Sequence, residues 1–227
     1  MYFYSYYYIL LPAIILAMVA SFRVNSTFNK YSKVPLRCGM TGKDAALWVL
    51  HSHGIYNVSV EKVAGNLTDH FDPKANVIRL SQGVYDSSST AAVGVAAHEA
   101  GHAVQHAEKY APIVIREKII PITNLGSNLA LPLVLFGVLL SFQTLADIGC
   151  IIYLAVVAFQ LVTLFAEFNA SGRAIKALSN SGKFDQKELN GSRAVLRAAA
   201  MTYVAALFTA LMSLVRLLAI SGRGRRN

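Results

Sequence analysis

The sequence predicts a mainly α-helical membrane protein, with about four transmembrane helices and one water-exposed α+β domain carrying a small antiparallel sheet. Three observations point there. The 227-residue chain is 55% hydrophobic and 15% charged, with a mean hydropathy of +0.45, whereas soluble globules carry roughly 25% charged residues. Four segments are apolar over about the 20 residues that a helix needs to cross a bilayer. One long polar stretch, residues 23–118, is left to fold in water. The net charge of +9 rests on few residues and is therefore clustered.

The apolar runs are residues 5–22 ("SYYYILLPAIILAMVASF"), 125–142 ("LGSNLALPLVLFGVLLSF"), 148–165 ("IGCIIYLAVVAFQLVTLF") and 198–220. The first three contain no charge. The fourth holds Arg216 near its end, where a long side chain can snorkel to the interface. The chain begins "MYFYSYYY", six aromatics with no Lys or Arg, and its first basic residue is Arg23. Cleaved signal peptides begin with positive charge. The first run is therefore expected to be a retained span, with an aromatic belt and its N-terminus outside.

Positive charge sets the orientation. Eleven Lys/Arg lie between runs one and two, with Arg23, Lys30, Lys33 and Arg37 close behind the first. Six lie between runs three and four, in the loop or helix of residues 166–197: Arg173, Lys176, Lys183, Lys187, Arg193 and Arg197. The hairpin "QTLAD" (143–147) has none. Both polar segments are thus expected in the cytoplasm and the hairpin outside. The tail, residues 221–227 ("SGRGRRN"), dissents. It carries Arg223, Arg225 and Arg226 on the side that parity makes external, so either a short basic tail is translocated or the fourth run stops short. Because the basic residues track the membrane ends and form no aromatic-laced patch, nucleic acid is not an expected partner. Cys38 and Cys150 form no CxxC and are expected to be free thiols in a reducing compartment.

Within residues 23–118, "TGKDAALWVLHSHG" (41–54) reads as a helix capped by Thr41, with Ala45, Trp48 and Val49 on one face, and ended by Gly54. "VSVEKV" (58–63) alternates like a half-buried strand. "NLTDHF" and "NVIRLS" flank the Pro-bearing turn "DPKA", so residues 66–81 read as a hairpin. Ser and Thr residues then offer caps to a long helix that contains "AAHEAGHAVQH" (96–106).

That stretch contains His-Glu-x-x-His. Residues four apart on a helix differ by about 40° in azimuth and lie one turn apart. His98 and His102 can therefore present two imidazoles to one metal ion, with Glu99 beside them to take a proton from a water. Given six His and six Glu in the chain, the pattern arises by chance in roughly half a per cent of such sequences. His106 follows one turn later but does not fit the spacing of a third metzincin histidine. A catalytic zinc takes three protein ligands and one open position. Glu108 is too close along the helix, and Asp147 is expected on the far side of the membrane. Glu167, at the end of run three, is on the right side; its plainer reading is a solvated helix-end carboxylate.

The stretches "LTDHFDPKANVIRLS", "AAHEAGHAVQHA" and "EFNASGRA", in this order, resemble the YugP-type membrane zinc metallopeptidases of bacteria, and the resemblance covers nearly the whole chain. In ground plan the chain is also similar to the HtpX and CAAX-prenyl endopeptidases, gluzincins that place membrane helices between HExxH and a later glutamate ligand. The resemblance implies a zincin-like cytoplasmic domain with one Zn2+ per chain, His98, His102 and Glu167 as ligands, and Glu99 as general base. Ser171 stands where those relatives often carry Asp. His106, Ser171 and Arg173 are candidates for supporting the ligands or donating to the oxyanion. Val77, Ile78, Arg79, Leu80 and Ser81 are the expected edge strand for an extended substrate.

The expected function is metal-assisted hydrolysis of peptide bonds in membrane or membrane-proximal proteins, at the cytoplasmic face of the cell membrane. Two rivals stand beside it. A site-2-type intramembrane protease would bury His98, Glu99, His102, His106 and Glu108 in lipid, which is costly. A non-catalytic scaffold would close its zinc site with a fourth ligand, His106 or His70. The expected partners are a protein or peptide substrate and the lipid bilayer, with a homo-oligomer or a membrane regulator left open.

Overall fold

The computed structural model describes residues 3–224, with side chains from residue 6 to residue 222. The start of the aromatic cluster and the side chains of Arg223, Arg225 and Arg226 lie outside the described residues. The chain divides into two compact units. One comprises the N-terminal stretch through Ser21, Val114–Phe165 and the stretch from Thr202; the other comprises Phe22–Ile113 and Ala166–Met201.

The first unit is built from four long helices. A 3-10 helix, Phe3–Leu10, leads into α1 (Leu11–Tyr31); the others are α5 (Ala111–Leu139), α6 (Gln143–Asn180) and α7 (Gln186–Gly224). All four are long and apolar enough to cross a membrane. Their large side chains face outward. Phe136, Leu139 and Ile151 are well exposed, while Ala130, Val134, Cys150 and Leu217 form the buried seam. Such a surface suits lipid, and small residues stand where the helix backbones come closest, as association in lipid favours. At Gly149 a Cβ would fall 2.8 Å from the carbonyl oxygen of Ala130. Residues 143–147, read above as the connecting hairpin, form the first turn of α6, where Gln143 Nε2 donates to Asp147 Oδ1 (2.8 Å). The chain reverses one step earlier, around Ser141 with its left-handed φ of +53°.

The second unit contains the polar elements. Helix α2 (Gly42–Ser52) starts on the expected cap: Asp44 N–H donates to Thr41 Oγ1 (3.2 Å) and Thr41 N–H to Asp44 Oδ2 (3.0 Å). It ends at Gly54, whose φ is +71°. Strands β1 (Ser59–Val63), β2 (His70–Asp72) and β3 (Val77–Ser81) follow, then a short α3 (Gln82–Tyr85) and the motif-bearing α4 (Thr90–Ala107). Ser89 caps α4 by accepting from Ala92 N–H (3.2 Å).

The expected hairpin is present, with β2 antiparallel to β3 in the register Phe71↔Ile78. Its turn is held by Asp72 Oδ1, which accepts from Lys74 and Ala75 N–H. The sheet as a whole is mixed rather than antiparallel. Its order is β1-β3-β2, and β1 runs parallel to β3. This corrects the expectation that Val77–Ser81 forms an edge. Four of its five residues are buried, so β3 takes the centre, where both edges of its backbone are paired. The more exposed β1 and β2 take the outside. A fully buried core of Leu50, Ile78, Leu80, Val93, Val104 and Leu178 joins the sheet, α2, α4 and the C-terminal part of α6.

Candidate metal centre

Helix α4 is made almost entirely of small residues where it meets α6 and α7. Ala96, Ala97 and Ala100 are fully buried. At Gly101 a Cβ would stand 2.7 Å from the carbonyl oxygen of Ala170 on α6. Only glycine permits that approach, and it brings α6 against the face that carries the two histidines.

His98 and His102 extend from this face with ring centroids 4.6 Å apart. Between them α6 inserts Glu167, whose side chain is only 4% exposed. Its Oε2 lies 3.1 Å from His98 Nε2 and 3.4 Å from His102 Nε2. One donor atom from each of the three residues falls within 4.8 Å of the other two. Donors bound at about 2.0–2.1 Å in a tetrahedron stand roughly 3.3 Å apart, so these separations and this nitrogen and oxygen set fit zinc. The electrostatics agree. Burial opposes a charged His102, yet the Glu167 carboxylate and the charge of Glu99 outweigh it and raise the ring's affinity for a proton. The same negative charge favours a metal cation.

The far sides of both rings are also engaged. Ser171 Oγ lies 3.1 Å from His98 Nδ1, and Gln105 Oε1 lies 3.0 Å from His102 Nδ1. The Nε2 atoms are thereby turned toward Glu167. Gln105 is fully buried; its Nε2 donates to the Ala166 carbonyl (2.8 Å) and to Asn169 Oδ1 (2.9 Å). Sequence reasoning passed over both Gln105 and Asn169. The signal was there for Gln105, three residues after His102 on one helix face, and Asn169 stands inside "EFNASGRA".

Glu99 stands outside the donor group. Its Oε2 accepts from the backbone N–H of Phe71 on β2 (3.0 Å). Nearby, Asp69 accepts from Ser81 N–H (2.7 Å). Burial raises the Asp69 pKa above the ordinary carboxylate value, the Ser81 hydrogen bonds oppose that rise, and the charge of Glu99 adds to it. His106 is half-buried with its ring 5.8 Å from that of Phe71, and it is not among the three converging donors. Exposed His70 meets the Thr68 carbonyl (2.8 Å). Arg173 donates from Nε to Asn169 Oδ1 (2.7 Å), pairs with Glu108 (2.7 Å) and lies over Tyr110. It is tied to the far side of His102 through Asn169 and Gln105. The strand beside Glu99 is β2, whose outer edge has no strand partner among the described residues, and not β3. Asp147, on the first turn of α6, meets Gln143 and Ser221.

Four helices of membrane-crossing length and a part-buried donor set suited to zinc define the class, a membrane protein with a candidate metal centre. The chain belongs to the family described as "Putative neutral zinc metallopeptidase", whose model matches residues 6–222. It is 45% identical over 218 residues to "Putative membrane protease YugP" of Bacillus subtilis (strain 168), a match that takes in 96% of this chain and 97% of that protein. No solved structure matches the chain. The family implies zinc as the metal and peptide hydrolysis as the chemistry, as the resemblance in the sequence suggested.

Proposed function

We propose that this protein is a gluzincin-like endopeptidase in which His98, His102 and Glu167 hold one zinc ion per chain and Glu99 moves the proton. The observation that carries this reading is the convergence of His98 Nε2, His102 Nε2 and Glu167 Oε2, from two helices, on a space of metal size. A bound zinc supplies Lewis acidity to the scissile carbonyl and to the attacking water. Glu99 accepts the proton of that water and delivers it to the nitrogen of the leaving amine. The Phe71 N–H bond to Glu99 Oε2 fixes one oxygen of that carboxylate and so sets the position from which it works. An extended substrate adds to the outer edge of β2 by β-augmentation, replacing the edge first assigned to β3.

The chain is read as a multi-pass protein of the cell membrane with this site at the cytoplasmic face. Seventeen Lys/Arg flank the apolar runs on that side, eleven before run two and six after run three, and none lies in residues 143–147. Helix α6 has 38 residues and rises about 57 Å, well beyond the roughly 30 Å of a hydrocarbon core. Glu167 follows directly on its apolar run, so substrates tethered in or near the membrane are the natural class. The test is hydrolysis of an unfolded model protein by zinc-loaded protein in detergent. Wild type cleaves it; Glu99→Gln keeps zinc and loses about 10²–10⁴-fold in turnover. Cleavage by Glu99→Gln at the wild-type rate rules the mechanism out.

A further inference from the structure

Between the candidate metal centre and a cavity of about 930 Å3 lined by Trp48, Glu108, Asn169, Arg173 and Lys176 runs a chain of four polar side chains. Its hydrogen-bond directions can be derived from one end. A guanidinium has only donors. Arg173 Nε donates across 2.7 Å to Asn169, so Asn169 must present its carbonyl oxygen there. That same oxygen stands 2.9 Å from Gln105, and the Ala166 carbonyl, an acceptor only, stands 2.8 Å from the same atom of Gln105. Two acceptors facing one end of a primary amide require that end to be the NH2 group. The opposite end, Oε1, is then forced toward His102 Nδ1 at 3.0 Å. An amide oxygen cannot donate, so Nδ1 must carry the hydrogen. In the neutral ring that ligates a metal, the lone pair then falls on Nε2, the atom 3.4 Å from Glu167 Oε2.

We infer that Gln105 is the positioning residue for His102, fixing the neutral ring with Nδ1 protonated and Nε2 free for the metal, and that the Ala166 carbonyl, with Asn169 held by Arg173, keeps the Gln105 amide in that sense. The inference rests on the zinc-centre reading above. His98 has no such constraint, because the hydroxyl of Ser171 can either donate or accept. The two ligands therefore differ: one is locked by a buried amide, the other is held by a group that adapts. Gln105 is 0% exposed, so no water competes for its amide, and the orientation costs nothing to keep once the helices are packed. Partners on the far nitrogen of a ligating histidine are typically worth about 10–100-fold in metal affinity.

The experiment uses the full chain in detergent and reads zinc affinity by competition with a chromogenic chelator. Gln105→Met keeps the shape and removes the amide; it is expected to bind zinc about 10–100-fold more weakly. Gln105→Glu keeps an acceptor toward Nδ1 but sets its other oxygen against the Ala166 and Asn169 acceptors, and it is expected to keep clearly more zinc affinity than Gln105→Met. If the two variants lose affinity by the same factor, or Gln105→Met loses none, the inference is overturned while the metal centre stands. A wild type that binds no zinc overturns the metal centre and the inference with it. Should Gln105→Met fail to fold, histidine-labelled NMR of zinc-loaded wild type decides. A proton on His102 Nδ1 is expected, and a proton on Nε2 contradicts it.

Discussion

Nε2 of His98 and Oε2 of Glu167 stand 3.1 Å apart across a sequence separation of 69 residues. The contact is made by two helices that cross where Gly101 meets Ala170. The metal centre is therefore a property of the α4–α6 crossing as much as of the motif on α4.

Gly101→Val is expected to damage the site without touching a ligand. The added Cβ would meet the Ala170 carbonyl oxygen at 2.7 Å, and a backbone atom cannot swing aside. Overpacking of this kind costs about 1–3 kcal/mol. A lowered thermal midpoint together with substoichiometric zinc is expected, whereas unchanged zinc content would show that the crossing tolerates the shift.

Glu188→Ala separates fold from function. Glu188 is buried, yet its carboxylate accepts from Arg37 N–H (2.8 Å) and Asp185 N–H (2.8 Å), where it ties the start of α7 to the loop after α1. Hydrogen bonds to a charged group are worth roughly 1.5–3 kcal/mol. The variant should lose about 2 kcal/mol of stability and keep its zinc, measured by denaturant unfolding and metal analysis. Loss of zinc in a folded Glu188→Ala protein would mean that the ligand set is misassigned.

The turn between β2 and β3 gives a pH dependence. Arg79 donates to Asp72 (2.7 Å), and this bond, with the turn amides of Ala75 and Lys74, lowers the Asp72 pKa from 3.8 to about 2. A depressed folded-state pKa adds stability above the unfolded value and loses it as pH falls through the folded one. Wild type should therefore lose stability relative to Asp72→Asn between pH 3.8 and about 2. Parallel unfolding midpoints for the two proteins over that window would contradict the assignment.

The topology has its own test. With Cys38 and Cys150 replaced, single cysteines introduced in residues 143–147 are expected to react with an impermeant reagent from outside intact cells, and cysteines in residues 60–110 are not. Labelling of the latter would put the site on the outer face.

The parts legible in the sequence are those written in local patterns. Four apolar runs fix four helices because nothing else accommodates about 20 consecutive apolar residues. Thr41 and Asp44 form their capping box three residues apart, and His98 and His102 share a face one turn apart. The sheet order was not legible, since the pairing of β1 with β3 skips β2, and no residue within "VSVEKV" specifies a partner. The burial of "VIRLS" was the available hint, because a strand apolar on both faces belongs at a centre. Glu167 by itself read as a helix-end carboxylate; the need for a third ligand on the cytoplasmic side raised it, and the resemblance assigned it. Gln105 shares a helix face with His102, yet an isolated Gln carries no signal until Asn169 and Ala166 are brought beside it.

The central claim is that Glu167 completes a three-ligand zinc site with His98 and His102. Zinc per chain in purified Glu167→Ala, compared with wild type and His98→Ala, tests it most directly. The expected result is about one zinc in wild type and a loss in Glu167→Ala as severe as in His98→Ala. Near-stoichiometric zinc in a folded Glu167→Ala protein would contradict the account.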